Sequence, residues 1–180
     1  MPDSQRRSAF ARGSAWAFGF KTMSTLKTIQ YRGGVAEFVI PAHWRAEYEP
    51  TGGGTFYEDA PESGTLRLNV LGFESTDTPA EQMAERVFRD GVIERTSCGF
   101  PIQREEKSVD ENGEMLHITR WNVAIPVPPR SLRLAIFSYT MLLSQKDEPA
   151  FVAEVALLQD SIKQASYSQA RGEAGEYQHA

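Results

Sequence analysis

The stretch Ser131–Leu143, SLRLAIFSYTMLL, restricts the possible folds of this chain more than any other. Both of its alternation sets are largely apolar, with Leu132, Leu134 and Ile136 on one side of an extended chain and Phe137, Tyr139, Met141 and Leu143 on the other. A strand that is apolar on both faces is usually central and covered on both sides. A buried helix would be as apolar, but the aromatic content and the prolines just before the stretch favour a strand. We therefore expect a sheet that lies between other layers.

Five more segments have the alternation of strands, and turn residues join four of them in pairs. Val35–Ile40 is ended by Pro41 and predicts the first strand. Thr55–Glu58 and Leu66–Phe73 flank a turn at residues 59–64, with Leu66, Leu68 and Val70 on one face of the second strand and Arg67, Asn69 and Leu71 on the other. Ile102–Val109, a charged strand suited to an exposed edge, and Glu114–Ile125 flank a hairpin turn at Asn112-Gly113. With Ser131–Leu143, the last two predict a three-stranded meander.

A first helix is predicted after Thr78. Thr78 and Glu81 have the spacing of a capping box, with Pro79 at the first helical position and Gly91 as the C-terminal stop. Its apolar stripe comprises Ala80, Met83, Ala84, Val87 and Phe88, and on the exposed side Glu85 is expected to pair with Arg89. This helix should lie on one face of the sheet.

A second helix is predicted from Pro149, with Asp147 or Glu148 as its N-cap. Its buried face comprises Phe151, Val155, Leu158 and Ile162, supported by Val152 and Ala165. The element order predicts an α+β fold with a central, mostly antiparallel sheet of about six strands. Two amphipathic helices flank this sheet, which gives an α/β/α sandwich.

Length and composition predict one ordinary globular domain. The chain has 180 residues, 41% hydrophobic and 24% charged, with a net charge of −5 and a pI near 5.3. This acidic balance argues against a nucleic-acid partner and favours a cytoplasmic location. Residues 1–24 hold four basic residues and one acidic residue, a balance of +3, so residues 25–180 carry −8.

The two termini differ in composition from the part between them. Residues 1–24 are basic and lack the apolar run of a secretory signal, and Met23 is a plausible start of its own, so we expect a disordered or over-called N-terminal extension. Residues 25–168 are predicted to form a single domain and residues 169–180 a flexible tail. No stretch approaches the ~20 apolar residues of a membrane helix, so no membrane span is expected.

Residues that could carry catalysis are few and scattered. Cys98 is the only cysteine of the chain, and the histidines are His43, His117 and His179, with no spacing typical of a metal site or a nucleophile elbow. An enzyme that uses Cys98, or His43 with His117, would need these groups within hydrogen-bond reach of one another. We predict no catalytic residues, no metal, no cofactor and no enzymatic activity.

Aromatic residues of the strands are the better candidates for a site. Trp44, Tyr57, Trp121 and Tyr139 lie in or beside strands, where they could line one surface for a partner or ligand. The competing interpretation is an aromatic core between sheet and helix. Trp44, which follows a strand ended by a proline, is the residue that we expect to be partly exposed.

Several of these segments together resemble a known superfamily. Phe38-Val-Ile-Pro41 followed by His43-Trp44, the Gly64-Thr-Leu-Arg-Leu68 strand, the proline-initiated helix and the last helix with Asp160-Ser-Ile162 resemble the PsbP/DcrB-like superfamily over residues 34–166. The resemblance implies an α/β/α sandwich and a binding protein without a catalytic centre. Members include photosystem accessory subunits, a Ran-binding import factor, lipoproteins and chaperones of type VI secretion effectors. This chain lacks the lipobox cysteine of the lipoproteins.

Two functional hypotheses follow. The first is a non-enzymatic adaptor or chaperone domain that holds a protein segment on its sheet surface or on a strand edge. Such a domain could be an accessory protein of a bacterial secretion system. The second is a small-ligand domain with an apolar pocket between sheet and helix near Trp44, Tyr57 and Trp121.

Overall fold

The computed structural model describes residues 25–88 and 90–170, which contain ten strands and two helices. In chain order the elements are β1 (Leu26–Tyr31), β2 (Ala36–Pro41), β3 (Arg45–Tyr48), β4 (Gly54–Tyr57), β5 (Thr65–Glu74), α1 (Ala80–Arg86), β6 (Ile93–Arg95), β7 (Pro101–Glu111), β8 (Glu114–Val127), β9 (Ser131–Leu142), α2 (Pro149–Gln164) and β10 (Ser166–Tyr167). The predicted α+β class is confirmed, with the large sheet flanked by helices.

Strand β9 lies at the centre of a seven-stranded antiparallel sheet with the order β3-β4-β5-β9-β8-β7-β6. It pairs with β5 on one side and with β8 on the other over nearly its whole length. The predicted meander is formed by β7, β8 and β9, and its first turn has positive φ at Asn112 and Gly113. The central position predicted for this strand is therefore confirmed.

The structure contains four strands and a second, small sheet beyond those predicted. Strands β1, β3, β6 and β10 were not predicted; β6 and β10 comprise only three and two residues, whereas β1 has six, as many as the predicted β2. β1, β2 and β10 form a separate three-stranded sheet with the order β1-β2-β10. The first predicted strand therefore belongs to this small sheet and not to the large one.

The main core lies between the two sheets and α2, on what we call the inner face of the large sheet. Phe38 of β2 makes edge-to-face contacts with Phe56 of β4 and Phe137 of β9, with ring centroids 5.4 and 5.3 Å apart. Leu158 and Ile162 of α2 are buried in the same cluster. The last helix and the small sheet thus cover this face together.

Helix α2 is also bound to the small sheet by a buried serine. The hydroxyl of Ser161 accepts a hydrogen bond from the N–H of Val39 at 2.9 Å and donates one to the carbonyl of the same residue at 2.7 Å. β10 pairs with β2 only at Ala36 and Glu37. Ser161 therefore binds the backbone groups of β2 where β10 does not reach.

Helix α1 lies on the opposite, outer face of the large sheet. Ala84 is buried against Ala124 and Leu132, and Met83, Val87 and Phe88 pack around them as the stripe predicted. The helix ends at Arg86, well before Gly91. The predicted capping box is absent, since no side chain caps the helix and the N–H groups of Asp77 and Thr78 instead bond to the hydroxyl of Ser75.

Three smaller predictions about the helices also need comment. Glu85 pairs with Arg95 through two hydrogen bonds of 2.7 and 2.8 Å, and this pair lowers the pKa of the Glu85 carboxyl. Arg89, its predicted partner, lies outside the described residues. Val152 is 52% exposed and does not support the buried face of α2. Glu148 is the N-cap residue of α2, but its side chain makes no capping bond.

The predicted terminal segments fall largely outside the description. Residues 1–24, with the predicted extension, and residues 171–180, with His179 and most of the predicted tail, lie outside the described residues. The domain limits of 25–168 stay a prediction. No helix within residues 25–88 and 90–170 is long and apolar enough to cross a membrane.

Replacement of Ser161 by alanine should destabilise the fold. Ser161→Ala leaves the N–H and C=O of Val39 without their buried partner, so the free energy of unfolding should fall by about 1–3 kcal/mol. Urea unfolding at an unchanged m-value measures this loss. Ser144→Ala, at an exposed position, is the control and should change stability by less than about 0.5 kcal/mol. Equal effects of both substitutions would contradict the role of Ser161.

Candidate functional site

Trp44 is a core residue, so its predicted exposure is wrong. The N–H of Trp44 donates to the carbonyl of Pro41 at 3.1 Å, and this turn after β2 directs the chain back toward the large sheet. The indole is 2% exposed and stacks on the ring of Tyr139, with centroids 6.2 Å apart and an interplanar angle of 9°. Trp44 therefore packs against the sheet and presents almost no surface to a partner.

The four aromatic residues predicted as one surface do not share a face. Trp121 and Tyr139 are buried with Trp44 on the inner side, and the guanidinium of Arg104 lies 5.9 Å from the centroid of Trp121. Tyr57 is half-buried and pairs with Thr65, which lies opposite Thr140, so it is on the outer face. Its hydroxyl donates to Glu47 at 2.5 Å. Trp44, Trp121 and Tyr139 therefore belong to an aromatic core, which was the competing interpretation.

The hydroxyl of Tyr139 is part of this core and has a partly buried acceptor. It donates a hydrogen bond to Glu154 of α2. Burial and this hydrogen bond together raise the pKa of Tyr139 well above its usual value. The residue therefore stays protonated over the physiological pH range and ties the central strand to the last helix.

Two concave regions are candidates for a binding site, and the first lies on the outer face. This outer groove has a volume of about 330 Å³ and is lined by Phe73, Thr78, Met83, Arg86, Val87 and Leu132. Phe73 is 43% exposed, and Leu71, two residues earlier on the same face of β5, is 47% exposed. Leu71 and Phe73 pair with Leu134 and Leu132 of β9. The groove is therefore bordered by exposed apolar side chains.

The second region, which we call the Trp44 pocket, has a volume of about 240 Å³. It lies between the loop of residues 58–64, Gln145 and the first turns of α2. Three carboxylates line it, those of Glu58, Glu62 and Glu154, and its lining contains no Lys or Arg. Of the three aromatics predicted to line a pocket between sheet and helix, only Trp44 does so.

The predicted candidates for catalysis have separate surroundings. His43 Nε2 lies 3.5 Å from Glu58, and His117 Nε2 lies 3.8 Å from Glu106. The exposed Cys98 directs its thiol to the carbonyl of Ala165 at 3.5 Å. Within the described part of the chain, no group of three or more His, Cys, Asp or Glu residues could hold a metal ion.

The exposed pair Leu71 and Phe73 was missed as a site by the sequence reasoning. Its signal is a change of character within one alternation set of β5, which runs from Arg67 and Asn69 to Leu71 and Phe73. A set that is polar at one end and apolar at the other indicates a face that is only partly covered. Which side chains α1 leaves uncovered depends on where that helix docks.

The fold defined by these elements is an α+β sandwich, similar to the PsbP/Mog1/DcrB-like fold. LpqN, which is involved in cell envelope biogenesis of Mycobacterium tuberculosis, is similar with a TM-score of 0.55 and 13% identity, over 79% of this chain and 90% of LpqN. The resemblance predicted from the sequence is thus confirmed as a likeness of fold.

Two further solved structures are similar. A protein from Bacteroides thetaiotaomicron has a TM-score of 0.53 and 14% identity over 84% of this chain, which spans half of that protein's length. A mutant of the protein Mog1 has a TM-score of 0.48 and 14% identity, over 78% of this chain and 95% of Mog1. The sequence itself matches no protein-family model and no curated protein.

A methyl group at Gly64 should disturb the aromatic stack. A Cβ at this position would lie 1.9 Å from the hydroxyl oxygen of Tyr139, which is fixed by Glu154. We expect Gly64→Ala to lower the free energy of unfolding by about 1–3 kcal/mol through overpacking, as measured by denaturant unfolding.

Gly72→Ala is the matched control for this substitution. A Cβ at Gly72 would meet no heavy atom within 4 Å, and neither glycine has a left-handed φ, so the close contact is the difference between them. Gly72→Ala should leave stability unchanged or slightly higher. A Gly64→Ala variant as stable as the wild type would show that the Tyr139 ring moves freely.

Proposed function

We propose that this protein is a non-enzymatic binding protein that holds a segment of another protein in the outer groove. The observation that carries the proposal is the exposure of Leu71 and Phe73 beside a concave region lined by Met83, Val87 and Leu132. Exposed apolar side chains that border a groove are typical of protein-interaction sites. The partner segment would insert an apolar side chain between α1 and β5.

The side chains that line the outer groove suit a partner segment that is mostly apolar. Arg86 is the one charged residue in the lining of the groove, and the remaining side chains there are apolar except for Thr78. Arg86 can pair with a carboxylate or a backbone carbonyl at the edge of a bound segment. The partner would therefore combine an apolar anchor with an acceptor group next to it.

The likeness of fold suggests a class of role. LpqN is involved in cell envelope biogenesis, and its fold is the one described above. An accessory protein of a bacterial secretion system would use such a groove to hold an apolar segment of its client, and this is the role we propose. The cytoplasmic location inferred from the acidic composition stays a prediction.

The alternative, a small-ligand domain, has less support. The Trp44 pocket lies beside α2, as a ligand pocket was predicted to do, but three glutamates line it and Tyr57 and Trp121 do not. An apolar ligand would have to desolvate these carboxylates.

The outer groove can be tested in two stages. A photo-crosslinking phenylalanine analogue at position 73 should capture a discrete partner in the source cell, whereas the same analogue at Met115, which is 45% exposed, should not. With the purified partner, the Leu71→Ser, Phe73→Ser double variant should weaken binding at least tenfold by calorimetry, about 1.4 kcal/mol, because it removes the apolar contact.

The Met115→Ser, Val152→Ser variant is the control for surface hydrophobicity. It removes two exposed apolar side chains at other positions and should bind the partner as the wild type does. Thermal unfolding checks that both double variants are folded. Equal weakening by the two, or equal crosslinking from positions 73 and 115, would overturn the assignment of the groove.

A further inference from the structure

Most arginines of this domain have a partner, and the two that have none border the outer groove. Residues 25–88 and 90–170 contain nine arginines, and seven of them make a hydrogen bond or an ion pair. Arg67 and Arg86 make neither with any described residue. Carboxylates are not scarce, since residues 25–180 carry a net charge of −8. Two unpaired guanidinium groups in such a domain indicate acceptors that come from outside it.

Both arginines lie beside the exposed apolar side chains of the outer face. Arg86 lines the outer groove together with Phe73. Arg67 is on the same face of β5 as Leu71 and Phe73, four and six residues before them. Along the strand, the backbone of Arg67 is about 13 Å from that of Leu71. This face is therefore basic, then apolar, then basic.

The surroundings of Arg67 leave its guanidinium open to a carboxylate. Its neighbours in register are Thr55 of β4 and Ser138 of β9, and both are uncharged. Their hydroxyls are further donors for an anionic group on this face. The carboxylate of Glu49 lies in the next row, near Asn69, and makes no ion pair with Arg67. A carboxylate above Arg67 would thus find donors on both sides.

We propose that the segment held in the outer groove is acidic as well as apolar, with one carboxylate that pairs with Arg67 and a second that pairs with Arg86. The apolar side chain packs on Leu71 and Phe73 between them. This inference rests on the function proposed above and adds the chemistry of the partner. The acid that meets Arg67 is about four residues from the apolar one in an extended segment and about nine in a helix.

Peptide selection tests this chemistry without knowledge of the partner. A phage library of random peptides is selected on the full-length chain and, in parallel, on single variants. The wild type should enrich peptides with Asp or Glu at a fixed separation on each side of a large apolar residue. Arg67→Gln should lose the acid on one side and Arg86→Gln the acid on the other. Lys107 is exposed on the same face, three strands from β5, so Lys107→Gln removes equal charge and should select as the wild type does.

The Leu71→Ser, Phe73→Ser variant separates this inference from the function on which it rests. If this variant loses the apolar preference and either arginine variant keeps both acids, the groove binds a segment but the acidic chemistry is wrong. If it selects the same peptides as the wild type, or if the wild type enriches none, the groove and the inference both fail.

A selected peptide then tests the pairing itself. Arg67→Gln, and conversion of the peptide's acid to its amide, should each weaken binding about three- to tenfold by fluorescence anisotropy. The two changes together should weaken it no further, because each removes the same contact. Lys107→Gln should not reduce the effect of the amide. Additive effects of Arg67→Gln and the amide would mean that Arg67 acts only through net charge and would overturn the pairing.

An anionic membrane is the other surface that apolar and basic side chains fit together. Cosedimentation with vesicles of phosphatidylcholine and phosphatidylserine tests it. The wild type should bind these vesicles no better than the Arg67→Gln, Phe73→Ser variant, whose folding is checked by thermal unfolding. Tighter binding by the wild type would assign this face to a membrane and overturn the proposal.

Discussion

The edge-to-face packing of Phe38 against Phe56 and Phe137 holds the small sheet on the large one, and much of the structure depends on it. Phe38 fixes β2 over the central strand β9. The next residue, Val39, then meets Ser161 of α2, so the same strand positions the last helix. The turn that follows β2 directs Trp44 onto Tyr139. Loss of this ring contact would therefore affect both sheets and α2 together.

Local sequence signals predicted the large sheet well and the small sheet poorly. The alternation of β9, the Asn112-Gly113 turn and the apolar stripe of α1 each lie within one continuous segment, so they can be recognised without knowledge of the fold. By contrast, β10 comprises two residues that pair with β2 more than 120 residues away. Such a pairing has almost no local signature, because packing rather than intrinsic propensity determines it.

The candidate sites, too, were predicted well only where the signal lies in the local sequence, and poorly where tertiary packing decides the outcome. Trp44 follows Pro41, which correctly ended a strand, but the direction of the turn after it is set by hydrogen bonds to Pro41 and from Lys27. The alternation of β5 placed Leu71 opposite the buried Leu66 and Leu68 but gave no measure of its exposure. Burial depends on the neighbouring layer, which the pattern of one strand does not contain.

That neighbouring layer is too small for the face it covers. Helix α1 has seven residues, a length of about 10 Å, whereas the twelve residues of β9 span about 40 Å. Outside the area that α1 covers, the outer face carries the polar residues Arg67, Asn69 and Ser138, which are suited to contact with water. Leu71 and Phe73 do not follow this logic, since each leaves nearly half of its apolar side chain in contact with water. Their exposed apolar surface is better explained by a bound partner than by the stability of the isolated domain.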